Sequence, residues 1–228
     1  MTQVAIITGD IVASQKISSK KRKALYTALE KFLSGIEGKW IQGYETYRGD
    51  SLQCRAISPE EALRAALLIR TFVMSFAQPL HKKGQKNGEK SRGYFNNEFD
   101  IRLAIGVGAV DFVRGKKIAT SDGEAFQLSG ESLDRLKDQG QRLICKTARE
   151  ELNRDLEPLV LLLDAVAEKW TRNQAELLLH KLHNKRDEEI AAELGISLSA
   201  VNQRKKTAQW PAIEKAVQYF AYKMKTAL

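Results

Sequence analysis

The chain has 228 residues, 43% of them hydrophobic, enough to bury a core in one or two domains. No apolar run approaches the ~20 residues of a membrane span, and MTQVAIITGD lacks a basic leader followed by a signal-like segment, so no membrane partner and a cytoplasmic location are expected. The net charge of +9 suits a polyanionic partner, and two cysteines, Cys54 and Cys145, in apolar strand-like runs exclude a disulfide framework.

Residues 4–8, VAIIT, form a continuous apolar run, as expected of a strand buried on both faces. It ends at Gly9-Asp10, and Ile11, Val12, Ala13 and Ser14 make the turn out of it. A helix is predicted from about Lys20, with Leu25, Leu29, Phe32 and Leu33 as its apolar stripe. Strand signals return at 41–48, break at Gly49-Asp50 and resume at 51–56, which reads as a hairpin with Asp50 at its tip. Ser58-Pro59-Glu60-Glu61 reads as a capping box opening a largely buried helix that runs to about Ala77. The glycine-rich basic stretch with Lys82, Lys83, Lys86, Lys90 and Arg92 follows. A solvated insertion is favoured there over direct nucleic-acid contact.

Residues 100–110 then predict a strand, Gly115 a turn into 116–121, 130–139 a helix and 142–146 a short strand. The order β-α-β-β-α-β plus additions is a ferredoxin-like or palm layout within an α/β (α+β) fold. An apolar helix is predicted from Pro158, with Leu159, Leu162, Leu163, Val166 and Trp170 facing inward. Thr171 and Gln174 match a second capping box, and Pro211 opens a last helix bearing Ile213, Val217, Phe220 and Met224. That stripe either closes a helical core or pairs with another subunit, leaving a homodimer open. No flexible linker separates the halves, 1–157 and 158–228, so they are expected to pack together. His180 and His183 could share a helix face as metal ligands, but no further Cys or His lies nearby, which favours surface decoration.

Two segments point to function. In residues 186–209, Gly195 supplies the tight turn of a helix-turn-helix, and Ile190, Leu194, Ile196 and Val201 glue its two helices. From Ser197 as N-cap, the second helix places Ser199, Asn202, Gln203 and Lys206 on one face. Amides and cations in that pattern read base edges and phosphates in the major groove of double-stranded DNA, with Arg204 and Lys205 adding to the phosphate contacts. The competing reading is an ordinary αα-hairpin with a solvated face. In the first half, Asp10 at a strand end and Asp50 at the hairpin tip fall at neighbouring points of the sheet edge. They could bind Mg²⁺ and nucleotide phosphates, or simply serve as turn residues.

GDIVAS at 9–14, RGDSLQ at 48–53 and IRLAIGVG at 101–108 resemble the class III nucleotide cyclase catalytic domain. With a helix-turn-helix behind it, the chain resembles the SatD family of small bacterial proteins. The resemblance implies metal-binding roles for Asp10 and Asp50, an acidic base-recognition position at Glu124 and a transition-state arginine at Arg135, while the turn at Ile11, Val12, Ala13 and Ser14 offers outward backbone N–H groups to nucleotide phosphates. The chain departs from the cyclase pattern at Glu131, where cyclases keep an asparagine, and at Thr46, where a lysine is usual. The expected function is a DNA-binding transcriptional regulator with a nucleotide-cyclase-like sensor or assembly domain. The alternative is a Mg²⁺-dependent cyclase or other phosphodiester-forming enzyme with a helical targeting module.

Overall fold

The apolar run near the N-terminus becomes the central strand of the molecule. A computed structural model describes residues 3–47, 50–77, 98–110, 112–114 and 117–228, with backbone only over 112–122. Strand β1 (Gln3–Ile11) sends Ala5, Ile7 and Ile11 into one apolar cluster and Val4 and Ile6 into another on the opposite face. β2 (Ile41–Tyr47) and β3 (Ser51–Ala56) form the expected hairpin, with Asp50 in its turn. β4 (Ile101–Ala109) pairs antiparallel with β1 and β7 (Leu143–Thr147) pairs parallel with β4, giving the order β2-β3-β1-β4-β7. With α1 (Ser19–Ile36) and α2 (Ala62–Ser75) as crossovers, the first four strands are a ferredoxin-like βαββαβ unit. The fifth is added through α3 (Glu124–Gln139), and a small ribbon of β5 (Phe112–Arg114) and β6 (Lys117–Asp122) lies between β4 and α3 in sequence. The basic stretch at Lys82–Arg92 lies outside the described residues.

The sheet is covered differently on its two faces. α1 and α2 pack on the Ala5/Ile7 side, while α3 rides on the other. Gly106 permits that second contact: a Cβ there would lie 2.5 Å from the Ser129 amide nitrogen of α3. α2 is apolar on nearly every side because it is sandwiched between sheet and C-terminal helices. Its one buried charge, Arg70, has no exposed surface. The Arg70 guanidinium donates two 3.1 Å bonds to Asp100 before β4 and another bond to Asp164 in α4 (Glu150–Ala167). Asp164 also accepts the Arg142 N–H at 2.8 Å.

Several local expectations are corrected. Pro59–Glu61 forms a 3-10 turn, Ser58 makes no side-chain cap, and Glu61 pairs with Arg64 at 3.0 Å instead of closing a box. α2 ends at Ser75, and α3 begins at Glu124 rather than about residue 130. α4 starts eight residues before Pro158 and runs through it. The stripe that drives it is Leu152, Leu156, Val160, Leu163 and Ala167, all buried, whereas Leu162 is 68% exposed. Glu150 and Glu151 in its first turn suit the positive end of the helix.

The C-terminal helices α5 (Arg172–Leu182), α6 (Asp187–Leu194), α7 (Leu198–Thr207) and α8 (Trp210–Ala227) continue the same core. Leu178 and Leu182 of α5 join the cluster that contains α2, and the α8 stripe Ile213, Val217, Phe220 and Met224 is buried within it. The Thr171/Gln174 capping box forms, with the Thr171 N–H donating to Gln174 at 2.8 Å. His183 is no surface decoration. It lies against Phe32 and Trp40, and Trp40 Nε1–H donates to its Nδ1 at 3.3 Å. Burial, then the nearby lysines, lower its pKa from 6.5 to about 4.

Candidate functional site

The sheet edge predicted to hold a metal is built differently from the expectation. β1 register places Asp10 opposite Ser51 on one side and Arg102 on the other. Arg102 lies on the α3 face of β4, and its guanidinium grips Asp10 bidentately, at 2.8 and 2.7 Å. Asp50 turns toward α1, where its Oδ2 accepts the Ser14 hydroxyl at 2.9 Å. There it lines a small cavity of about 30 Å³ with Tyr26, Leu29 and Thr46. Burial and then the Asp50 charge raise the Tyr26 hydroxyl pKa. The two carboxylates therefore serve opposite faces of the sheet, each with its own protein partner. Among the described residues no group of three or more His, Cys, Asp or Glu side chains could hold a metal ion. As the side chains stand, a shared Mg²⁺ does not fit, because the Arg102 guanidinium already neutralises Asp10 and Asp50 accepts from Ser14 instead.

The 11–14 turn is likewise occupied. Ile11 N–H donates to the Asp50 carbonyl and Val12 N–H to the Asp100 carbonyl, each at 2.9 Å, so these two donors are not aimed at a phosphate. Ala13 sits at φ 51°, a left-handed conformation uncommon for a residue with a side chain. Glu124, at the start of α3, reaches back over Gly108 to accept the Ala109 N–H at 3.2 Å. Arg135 is exposed on α3 and lines a cavity of about 230 Å³ beside the β7 edge, with Gln139, Cys145 and Glu157. Arg135 therefore lies toward the β7 edge of the sheet, while Asp50 lies in the β2–β3 turn near the other edge. Thr46 bonds Glu30 at 3.0 Å, and Glu131 is exposed.

The C-terminal segment assembles four of its six predicted residues on one surface. Gly195 caps α6 at φ 62°, and Leu177, Ile190 and Val201 form a small core that fixes α6 against α7 and α5. Ser197 Oγ accepts the Ala200 N–H at 3.1 Å, the expected N-cap. Ser199, Asn202, Gln203 and Lys206 are all exposed along α7. Arg204 and Lys205 are turned inward. Arg204 faces Glu176 at 3.7 Å, and Lys205 bonds Asp187 at 2.5 Å, so these two cations brace α7 on α5 and α6. Burial alone would raise the Asp187 carboxyl pKa, but hydrogen bonds from Lys205 and Lys181 carry it below the ordinary value.

Sequence reasoning missed Arg102 and Arg70. Each is an arginine whose carboxylate partners lie 30 or more residues away, so no local spacing marks them.

No protein-family model matches the chain, and no curated protein matches it. Among solved structures, it is similar to a bacterial light-regulated adenylyl cyclase, at 14% identity and TM-score 0.35 over 62% of this chain and 73% of that one. It is also similar to the adenylyl cyclase CyaB from P. aeruginosa, at 10% identity and TM-score 0.37, covering 58% of this chain and 71% of that one. The ferredoxin-like assignment rests on the strand order itself. No helix among the described residues is long and apolar enough to cross a membrane.

Proposed function

We propose that the protein is a transcriptional regulator that binds double-stranded DNA through residues 158–228. Its α7 is the reader helix of a helix-turn-helix, and the cyclase-like part, residues 1–157, senses a nucleotide or assembles a homodimer. The observation that carries the reading is the exposed Ser199/Asn202/Gln203/Lys206 face on a helix braced from behind by Arg204 and Lys205. Amides and an exposed ammonium on one helix face suit base edges and phosphate, and the bracing holds them in one orientation. The test is fluorescence anisotropy of the full chain on a duplex selected from a random pool, at one salt concentration because phosphate contacts make affinity salt-dependent. Asn202→Ala and Gln203→Ala are each expected to weaken specific binding by about 1–3 kcal/mol. Unchanged specific affinity in the double variant would refute the reader assignment.

Mg²⁺-dependent phosphodiester chemistry is the other reading the cyclase resemblance implies. As the side chains stand, it would require Asp10 to leave Arg102 and Asp50 to leave Ser14, and no step is assigned to it.

A further inference from the structure

The outward arc of α7 carries one large apolar side chain, Leu198, which is 46% exposed. Leu198 is the first residue of the helix, directly after the Ser197 N-cap. At 3.6 residues per turn it lies about 40° around the axis from Asn202 and about 80° from Lys206, continuous with the polar face. The other branched aliphatic residue of α7, Val201, is fully buried in the small core. An exposed leucine by itself is ordinary. Position and company distinguish this one: it stands in the N-terminal turn, the part of a reader helix that approaches base edges most closely, one turn before an asparagine.

The major groove offers one apolar group, the 5-methyl of thymine, and asparagine pairs bidentately with adenine N6 and N7. We infer that Leu198 is a specificity determinant that packs on a thymine 5-methyl group next to the base contacted by Asn202. The inference rests on the reading of α7 as a DNA reader. It makes the recognised half-site dependent on a methyl group that no hydrogen bond reports. Burying one such group corresponds to about a fourfold change in affinity.

The test uses the full-length protein and a duplex enriched from a random pool. Each thymine is replaced in turn by uracil, which keeps every hydrogen-bonding atom and removes only the methyl. Affinities are measured by fluorescence anisotropy at fixed salt. One thymine per half-site should show about fourfold weaker binding as uracil. Leu198→Ala should bind the thymine and uracil duplexes equally, and Asn202→Ala should keep the difference between them. The inference is overturned if no thymine-to-uracil change matters to the unaltered protein, a result that does not depend on any variant folding. It is overturned also if Leu198→Ala retains the full difference. A pool with no enriched sequence would remove the DNA-reader reading itself, and the inference with it.

Discussion

Replacing Arg70 with methionine keeps most of the side-chain volume and removes the charge, so the loss isolates the buried ion network. Arg70 is wholly inaccessible to solvent, and it gives two bonds to Asp100 and one to Asp164. Without it, Asp164, with 7% of its side chain exposed, and Asp100, with 21%, lose their shared cation, and Asp100 keeps only the more distant Arg142 guanidinium at 4.0 Å. Breaking a buried pair from one side costs about 3–5 kcal/mol. The lower end is expected here, about 3 kcal/mol, because the carboxylates keep the Arg142 and Ile101 backbone donors, each at 2.8 Å. That is a large share of a typical stability of roughly 5–15 kcal/mol. Urea unfolding, with midpoint and slope both measured, reads the loss. The triple variant Arg70→Met/Asp100→Asn/Asp164→Asn should recover most of it, since no stranded charge remains. An Arg70→Met protein within about 1 kcal/mol of the parent would show that water or a shifted backbone relieves the carboxylates, and would refute the argument.

Three further outcomes are expected. His183, held near pKa 4 against an ordinary 6.5, is neutral in the folded protein while the unfolded chain takes up its proton first. Its contribution is therefore complete above about pH 6.5 and is lost progressively toward pH 4; with its partial exposure discounted, the loss is about 1 kcal/mol at pH 5. Urea midpoints at pH 7 and pH 5 should show this slope, reduced in His183→Gln; an equal slope in both proteins would place the titration elsewhere. Gly106→Ala should cost about 1–3 kcal/mol, because the new Cβ meets backbone atoms of α3 rather than a flexible side chain; a neutral thermal shift would mean that α3 moves off the sheet freely. At constant ionic strength, MgCl₂ should leave the melting temperature unchanged in both the parent and Asp10→Asn, since Arg102 already neutralises that carboxylate. A saturable rise in the parent that Asp10→Asn abolishes would restore Asp10 as a metal ligand.

Local sequence determined the features that are completed within a few residues. The apolar VAIIT run, the 41–56 hairpin, the Thr171/Gln174 box, the Gly195 turn and the Ser197 cap all form where spacing placed them. The exposed arc of α7 was legible for the same reason: helical periodicity alone decides which residues share a face. Tertiary structure decided what each charge meets. Asp10 looked like a metal ligand beside Asp50 until pairing with β4 put Arg102 against it, 92 residues along the chain. Arg204 and Lys205 looked like phosphate contacts until Glu176 and Asp187 turned them inward. His183 looked like a surface residue until packing set it on Trp40. Secondary structure is specified by periodicity and short-range hydrogen bonds, which are written in neighbouring residues. An ion pair acts over a few ångströms between groups that only chain pairing brings together, and in a strand a shift of one residue reverses the face a side chain points to.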